Sequence, residues 1–300
     1  MKKINLAVVG YGNIGKYTVE AALEDPDMNL LGIISGSLSN KGIKEKNGVK
    51  VAKNIDELEA KPDVAILCAP TRAIPDIAPL YLEKGIHTVD SYDSHDSIWE
   101  LKTKLNPTAA ENNAVSIISA GWDPGSDSIV RALLLACAPK GVTYTNFGPG
   151  MSMGHSVAVK AIDGVSDALS VTIPVGTGIH RRMVYVTPEP GADFCKISNT
   201  IKNDDYFKND ETHIFENRDI SALLDVGHGV SMTRKGVSGK THNQLFEFNM
   251  RINNPALTSQ IMISCARACM RQRPGAYTMI EIPVIDLLPG EREENVRRLV

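Results

Sequence analysis

The sequence lacks an excess of charge of either sign, and it lacks a long apolar run. Its 300 residues contain 32 Lys+Arg and 35 Asp+Glu, which gives a formal net charge of -3. A balance this close to neutral gives no electrostatic reason to expect a nucleic acid or an anionic membrane as a partner. No uninterrupted apolar run approaches the ~20 residues that span a bilayer. With 43% hydrophobic residues, the composition is that of a globular protein with room for two cores.

Cysteine is scarce, and its spacing suits neither a metal site nor a disulfide framework. The five cysteines are odd in number, form no Cys-x-x-Cys pair and lie in apolar segments: Cys68, Cys137, Cys195, Cys265 and Cys269. We therefore predict buried thiols, no bound metal and a cytoplasmic location. The opening MKKINLAVVG leads into a strand and a glycine turn, so we do not expect a signal peptide. A nucleophile elbow and a Walker phosphate loop are also missing.

What the sequence does contain is a glycine turn between a predicted strand, Ile4–Val9, and a predicted helix that ends at Asp25. The first glycine of GxGxxG permits a tight turn, the second lets backbone N–H groups approach a pyrophosphate, and the third lets helix pack on strand. The strand–turn–helix context favours dinucleotide binding over a purely structural turn. The residues expected at the phosphates are Gly10, Tyr11, Gly12, Asn13, Ile14 and Gly15.

The tip of the second predicted strand, Leu30–Ile34, bears on which dinucleotide is bound. NAD-specific folds usually have a carboxylate there, which binds the ribose 2′-hydroxyl. This tip instead has Ser35 and Ser37, and Lys41 and Lys44 follow it. A 2′-phosphate would not be repelled, so the tip favours NADP. Since it contains no arginine, NAD is not excluded.

Further strands alternate with helices, at Val64–Cys68, Ile86–Val89 and Val115–Ser119. This alternation predicts an α/β fold with a Rossmann-type doubly wound parallel sheet, because parallel neighbours need a crossover between them. Ligands of such sheets bind beyond the carboxyl ends of the strands. We therefore add the tip after the third strand to the predicted cofactor site: Ala69, Pro70, Thr71 and Arg72.

Prolines shape the prediction for the helices between these strands. Pro75 is suited to open a helix, and Pro79 should kink it. Pro107 divides the next helical pattern, so two short helices are predicted, Ser97–Leu105 and Pro107–Asn112.

The second half of the chain has a different pattern. Gln244–Ile252 alternates apolar and polar residues, which is typical of a half-buried strand in an antiparallel sheet. Ser170–Val175 and Met183–Thr187 are predicted strands separated by a glycine-rich turn. We predict a second, α+β domain with a mixed or antiparallel sheet. It covers about 123–254, for substrate binding and dimerisation, whereas 1–122 plus about 255–300 form the dinucleotide-binding domain.

Two aspartates, Asp93 and Asp123, each follow a parallel strand by a few residues. Two carboxylates beside a nicotinamide suit a substrate with an ammonium group, because one can stabilise the charge while the other moves a proton. Each aspartate is equally well explained as a helix or loop cap. His155 is either an acid or base or a residue bonded to backbone.

Polar residues of the second half suit carboxylate recognition. Arg181 and Arg182 could form a fork-like clamp, although adjacent arginines are more often merely solvated. His228 has no histidine or cysteine near it at metal-ligand spacing, and it could instead donate to a carboxylate.

Five motifs together resemble the meso-diaminopimelate dehydrogenase family in its compact type: GYGNIG, TVDSYDSH, SAGWDPGSDS, TNFGPGMSMGHS and NNPALT. The resemblance covers essentially the whole chain. It implies an NADP-dependent oxidoreductase of lysine biosynthesis that reversibly deaminates the D-centre of meso-2,6-diaminopimelate. The products are L-2-amino-6-oxopimelate and ammonia. It also suggests a homodimer or a higher homo-oligomer.

The resemblance also implies a role for each site residue. Asp93 and Asp123 would surround the D-centre amino group, and His155 is a third candidate for moving the proton. The implied substrate contacts are Trp122 and Phe147 at the reacting end, backbone at Met153 and Gly154 on its carboxylate, Thr172, Arg182 and His228 on the distal carboxylate, and Asn254 as a further polar contact. Family members often carry arginines where this chain has Ser35 and Ser37, so strict NADP preference stays open.

Two other functions fit the same residues. One is a relaxed D-amino acid dehydrogenase that also aminates 2-keto acids, since compact family members share the pocket. The other, of a different class, is a non-catalytic dinucleotide-binding redox sensor. The two aspartates and the carboxylate-binding residues argue against the sensor, which has no need of them.

Overall fold

The computed structural model describes residues 3–223 and 227–300, and these form two compact units. Unit 1 comprises the chain up to Ala132 together with Pro255–Val300, and unit 2 is Leu133–Asn254. The sequence analysis divides the chain at 122, whereas this division falls inside the helix Ser126–Cys137.

The elements of the described residues are numbered in chain order. The strands are β1 (Ile4–Val9), β2 (Met28–Ile34), β3 (Glu45–Lys46), β4 (Val49–Ala52), β5 (Val64–Leu67), β6 (His87–Asp90), β7 (Val115–Ile118), β8 (Lys140–Phe147), β9 (Gly150–Met151), β10 (Val165–Gly176), β11 (Ile179–Pro188), β12 (Glu211–Glu216), β13 (Gly227–Ser238), β14 (Thr241–Asn253) and β15 (Gly275–Thr278). The helices are α1 (Asn13–Glu24), α2 (Gly36–Asn40), α3 (Ile74–Leu82), α4 (Ile98–Glu111), α5 (Ser126–Cys137), α6 (Met153–Lys160), α7 (Phe194–Asn203), α8 (Asn254–Cys269) and α9 (Arg292–Leu299).

Unit 1 is built on one sheet in the order β15-β7-β6-β5-β1-β2-β4-β3. Neighbours pair in parallel, except β3 with β4. The predicted Rossmann-type parallel sheet is confirmed. Because β15 pairs with β7, the last part of the chain returns to this sheet and forms its edge.

Both faces of this sheet are covered, as the uniformly apolar strands require. Leu67 and Leu105 are fully buried in the core on one face, and Ile66 and Met262 in the core on the other. Strands buried on both faces have runs of apolar residues and no alternation, which is why β5 and β7 were recognisable. No helix in the described part of the chain, the 16-residue α8 included, is long and apolar enough to cross a membrane.

The prediction of two short helices around Pro107 is wrong. α4 runs from Ile98 to Glu111 with Pro107 inside it. A proline in a helix interior removes one hydrogen-bond donor. Leu101, Leu105 and Ala109 nevertheless form one buried face along the whole helix, and the packing of that face outweighs the lost hydrogen bond.

The prediction that all cysteines are buried is wrong at two positions. Cys137 and Cys195 are exposed, although all five are free thiols. Both lie in amphipathic helices, so apolar neighbours in the sequence can occupy the opposite face. In α7, for example, Ile197 and Ile201 are buried while Cys195 is not.

Unit 2 carries two sheets, β12-β11-β10-β9 and β14-β13-β8. β10 and β13 pair antiparallel with β11 and β14, whereas β12 pairs in parallel with β11. The predicted mixed or antiparallel second domain is confirmed. In β14, exposed and half-buried residues alternate over most of the strand, as the sequence pattern indicates.

The three glycines of GxGxxG differ in what surrounds them. A Cβ on Gly10 would clash with the carbonyl oxygen of Cys68, and one on Gly15 with that of Gly10; both would lie inside 3.0 Å. A Cβ on Gly12 would meet nothing within 4 Å. The packing of the turn therefore requires the first and third glycines, whereas the second borders open space.

We predict that Gly15→Ala destabilises the protein and that Gly12→Ala does not. The added methyl group at position 15 meets a backbone oxygen that cannot move aside, and such overpacking costs about 1–3 kcal/mol. Gly12 has an ordinary extended backbone, so alanine there should change the free energy of unfolding by less than about 0.5 kcal/mol. Denaturant unfolding of both variants measures this difference. Equal destabilisation by the two substitutions would contradict the packing explanation.

Candidate active site

Asp90, the last residue of β6, ties two strand ends together. Its Oδ1 accepts hydrogen bonds from the backbone N–H of Tyr92 at 2.9 Å and of Ser119 at 3.2 Å. Its carbonyl oxygen accepts one from the N–H of Ala120 at 2.7 Å. Burial raises the pKa of Asp90 to about 6, although the two N–H donors oppose that shift. The sequence analysis missed this residue; the available signal was a carboxylate closing an apolar strand.

Asp93 lies three positions further on, in the segment that Asp90 helps to order. Its Oδ1 accepts a hydrogen bond from the Thr71 hydroxyl at 2.5 Å. Thr71 begins a short 3-10 helix just beyond β5. The tips of β5 and β6 therefore meet. This hydrogen bond links Thr71, which is predicted to bind the cofactor, to Asp93, which is predicted to contact the amino group of the substrate.

Asp123 lies in a closed loop between β7 and α5. The N–H groups of Ser126 and Asp127 donate to the carbonyl oxygens of Gly121, at 3.0 Å, and Trp122, at 3.1 Å. Trp122 is buried. The loop thus holds Asp123 at the end of the sheet, where Asp93 is near enough to affect its ionisation.

Asp123 forms a carboxyl pair with Asp127, a residue that the sequence analysis did not single out. Burial, reinforced by the charge of Asp123, raises the pKa of Asp127 to about 7. Burial also raises the pKa of Asp123, but the charge of Arg131 and a hydrogen bond with Asp127 oppose that shift. The side chain of Asp127 is 0% exposed and that of Asp123 is 16% exposed. We therefore assign the shared proton to Asp127. The signal in the sequence was the four-residue spacing from Asp123 to Asp127 to Arg131.

A second group of candidate residues in unit 1 lies at the glycine turn after β1 and at the tip of β2. Gly12 caps α1, whose first turn contains no acidic residue that would repel an anion. Backbone N–H groups at a helix start favour a phosphate, and the space beside Gly12 is open. At the end of β2, Ser35 caps α2, and its hydroxyl lies 3.1 Å from that of Ser37. The chain thus presents hydroxyls and no carboxylate at this tip.

In unit 2, Thr172 and Arg182 are direct partners across β10 and β11. Nη1 of Arg182 donates to the Thr172 hydroxyl, and its Nε donates to Asp210 at 2.6 Å. The neighbouring Arg181 instead pairs with the exposed Glu211 at 2.9 Å. Successive residues of a strand face opposite sides, so only Arg182 shares a face with Thr172.

His155 lies in the first turn of α6. Its Nδ1 is 2.7 Å from the Ser152 hydroxyl, and its ring contacts Tyr206 and Phe207 edge-on, with centroids 5.1 Å away. Burial, and then the charge of Arg182, lower the pKa of His155 to about 3. The imidazole is therefore neutral at physiological pH.

The remaining predicted residues of unit 2 lie at the ends of its elements. Phe147 ends β8, and its N–H donates to Nε2 of His180 at 2.8 Å. Met153 and Gly154 are the first two residues of α6. His228 is buried near the start of β13, and its proximity contributes to the lowered pKa of His155. The last, Asn254, begins α8.

Within residues 3–223 and 227–300, the structure contains no group of three or more His, Cys, Asp and Glu side chains that could hold a metal ion. The polar clusters described above are thus organised around carboxyl, hydroxyl, guanidinium and imidazole groups.

We predict that Asp90→Asn changes how stability depends on pH. An unfolded Asp titrates near 3.9, so between about pH 4 and 6 the folded protein binds a proton that the unfolded chain lacks. This stabilisation is present below pH 4 and is lost as the pH rises through about 6. From pH 4 to 7 the variant should gain up to about 3 kcal/mol in free energy of unfolding relative to wild type. Denaturant unfolding across this range, with the exposed Asp96→Asn as control, measures it; a pH-independent difference would contradict the assignment.

Models of known protein families match segments in both halves of the chain. A family model described as "Oxidoreductase family, NAD-binding Rossmann fold" matches 4–90, and one described as "Diaminopimelic acid dehydrogenase C-terminal domain" matches 121–180. The meso-diaminopimelate D-dehydrogenase of Bacteroides fragilis is 60% identical over the full length of both chains. That of Corynebacterium glutamicum is 30% identical over 99% of each.

Solved structures of related enzymes are also similar to this chain. The Corynebacterium glutamicum DAP dehydrogenase in complex with DAP superposes with a TM-score of 0.90, at 29% identity and over 100% of both chains. An engineered D-amino acid dehydrogenase bound to NADP+ gives 0.86 at 28% identity, again over 100% of both chains. The resemblance noted in the sequence is thereby confirmed: this chain belongs to the meso-diaminopimelate D-dehydrogenase family of oxidoreductases.

Proposed function

We propose that this protein catalyses the NADP-dependent, reversible oxidative deamination of the D-centre of meso-2,6-diaminopimelate. The products are L-2-amino-6-oxopimelate and ammonia. The proposal depends above all on the approach of Asp93 and Asp123 to each other at the tips of β6 and β7, where the charge of Asp93 raises the pKa of Asp123. Two carboxyl groups at this edge of a dinucleotide-binding sheet suit a substrate that carries an ammonium group. The 60% identical relative bears the name of this activity.

The reacting end of the substrate is bound by unit 1 residues in this proposal. Asp123 takes a proton from the ammonium group, so that an N–H bond breaks and an O–H bond forms at its carboxylate. Asp93 stabilises the positive charge of the nitrogen, and the Thr71 hydroxyl fixes the position of Asp93. Oxidation of the resulting amine at its α-carbon, for which bound NADP+ would supply the hydride acceptor, would give an imine. Water would add to the imine carbon, and ammonia would leave as the carbonyl group forms. Trp122, buried beside Asp123, supplies an apolar wall.

The dinucleotide is held by the open backbone of unit 1. Gly12 and the N–H groups at the start of α1 bind the pyrophosphate, and Ser35 and Ser37 contact the ribose end. When bound, NADP+ supplies the hydride acceptor for the oxidation. The absence of a carboxylate at Ser35 and Ser37 supports NADP over NAD, and a structural relative is a complex with NADP+. The tip beyond β5 completes this set: Ala69, Pro70, Thr71 and Arg72.

The carboxylates of the substrate are recognised by unit 2 residues. Arg182, Thr172 and His228 bind the distal carboxylate, because a guanidinium group beside a hydroxyl offers several directed donors. The remaining contacts of the proposal are the N–H groups of Met153 and Gly154 on the carboxylate of the reacting end, the ring of Phe147, and Asn254.

His155 has a positioning role in this proposal and does not carry the proton. A group whose pKa is about 3 stays neutral when the reaction takes place. Its contact with Ser152 instead fixes the start of α6, where the N–H groups of Met153 and Gly154 lie. The proposal therefore gives the proton to a carboxylate, that of Asp123, whose pKa burial raises.

The proposal extends to assembly and location. A homodimer is supported by apolar side chains that unit 2 leaves exposed, among them Leu133, Val142 and Leu245. The five free thiols suit the cytoplasm, since a reducing compartment keeps them unpaired. A relaxed D-amino acid dehydrogenase remains the second candidate function, because an engineered enzyme of that kind is among the similar structures.

We predict that the purified protein reduces NADP+ with meso-diaminopimelate and releases ammonia. The measurement is the absorbance of the reduced nicotinamide, with the three diaminopimelate isomers and a panel of D-amino acids as substrates and with NADP+ and NAD+ in parallel. Turnover with meso-diaminopimelate and no other compound supports the first function, and broad turnover supports the relaxed one. Absence of turnover with every compound would contradict both and favour a sensor. Better activity with NAD+ would overturn the cofactor preference.

We predict that Arg182→Met lowers kcat/KM for diaminopimelate by about 10- to 100-fold, mainly through KM. The loss corresponds to one or two charge-assisted hydrogen bonds to the distal carboxylate. Arg181→Met is the matched control, because this substitution removes the same charge from the adjacent position, where Arg181 pairs with the exposed Glu211. It should leave kcat/KM within about twofold. Equal effects of the two substitutions would show that Arg182 does not bind the substrate.

A further inference from the structure

Asp127 is a buried carboxyl group of unit 1 to which the proposed reaction gives no role. It is the second residue of α5, and its side chain is wholly buried. Nη2 of Arg131, one helical turn further on, donates to its Oδ2 at 2.8 Å. The Ser128 hydroxyl donates to its Oδ1 at 3.3 Å. The carboxyl group is therefore held in one orientation, within hydrogen-bonding reach of Asp123.

These side chains form one electrostatic group. Two carboxyl groups in contact cannot both ionise without repulsion, so such a pair keeps one proton over a wide pH range. With one proton the pair carries a single negative charge, and the guanidinium of Arg131 stabilises it in part. Asp127 is the more deeply buried partner, so the proton belongs on its carboxyl group, which is then the hydrogen-bond donor of the pair.

We propose that Asp127 is a positioning residue for the reaction: fixed by Arg131 and Ser128, its protonated carboxyl group donates a hydrogen bond to Asp123 and keeps Asp123 a carboxylate. This inference rests on the proposed function, in which Asp123 takes a proton from the substrate's ammonium group. In that step an N–H bond breaks and an O–H bond forms at Asp123, while the O–H bond of Asp127 stays intact.

Other ionisable groups also face Asp123, from the segment after β6. The charge of Asp93 raises its pKa, in the same direction as burial. The exposed His95 has its Nε2 3.8 Å from Oδ2 of Asp123. On the α5 side, Arg131 and the hydrogen bond with Asp127 lower the pKa of Asp123. Asp127 and Arg131 are thus the groups that offset burial, and removing either should make Asp123 easier to protonate.

The test is the pH dependence of kcat/KM for deamination of meso-diaminopimelate by the full chain as wild type, Asp127→Asn and Asp127→Leu. Asparagine keeps an N–H donor towards Asp123, so the acidic limb of the profile should move by less than about 0.3 pH units. Leucine has similar volume and no donor, so the limb should move up by about one pH unit. At pH values below the limb, this shift corresponds to about a tenfold loss of kcat/KM. An unmoved limb in Asp127→Leu, with native circular dichroism, overturns the proposal.

A second variant decides the matter if Asp127→Leu fails to fold. Asp127→Ala also removes the donor and adds no volume, so the acidic limb should again move up by about one pH unit relative to Asp127→Asn. A purely structural role would lower kcat/KM evenly across the pH range, which overturns the proposal. Failure of the proposed function has another signature, since the wild type itself would then show no turnover. Turnover by the wild type with unmoved limbs in every variant leaves the function intact and removes the role of Asp127.

Discussion

The buried carboxyl group of Asp90 joins the ends of two neighbouring strands, and the positions of Asp93 and Asp123 depend on it. By accepting the N–H groups of Tyr92 and Ser119, it fixes both the segment that leads to Asp93 and the turn that leads to Asp123. A loop at such a position would otherwise be free to move, and groups that transfer protons need positions defined to a fraction of an ångström. The hydrogen bonds of a single side chain supply this definition for two strand tips at once.

Burial of carboxyl groups at this edge carries an electrostatic cost that the unit offsets only in part. Asp90 and Asp127 have pKa values raised to about 6 and about 7 by burial, and Arg131 is the cation that opposes the shifts of the Asp123–Asp127 pair. Full neutralisation would make Asp123 a strong ion pair and a weak base. Partial compensation leaves Asp123 with a raised pKa, which suits the proton acceptor of the proposed function.

Sequence reasoning recovered what is local or periodic and missed what depends on contacts between distant residues. The order of Ile4–Val9, a GxGxxG turn and a helix carries its own geometry, so the sheet could be predicted from spacing. The approach of Asp93 to Asp123 followed from the rule that parallel strand ends meet at one edge. Asp90 and Asp127 could not be assigned in this way, because their roles come from burial and from partners that only the folded chain defines. Pro107 shows the converse, since tertiary packing overrode a strong local signal.

In the proposed function, Arg182 of unit 2 is a binding group whose orientation is fixed before its ligand arrives. Its Nε donates to Asp210, directly before β12, and its Nη1 donates to Thr172 in β10. These two partners fix the plane of the guanidinium group. Holding a long side chain in place reduces the conformational entropy lost on binding. The carboxylate of Asp210 also reduces the net positive charge at this point, so orientation is gained at some expense in attraction. Selectivity for a carboxylate then comes from the directions of the donors more than from the charge, since a bidentate geometry rejects anions that do not fit it.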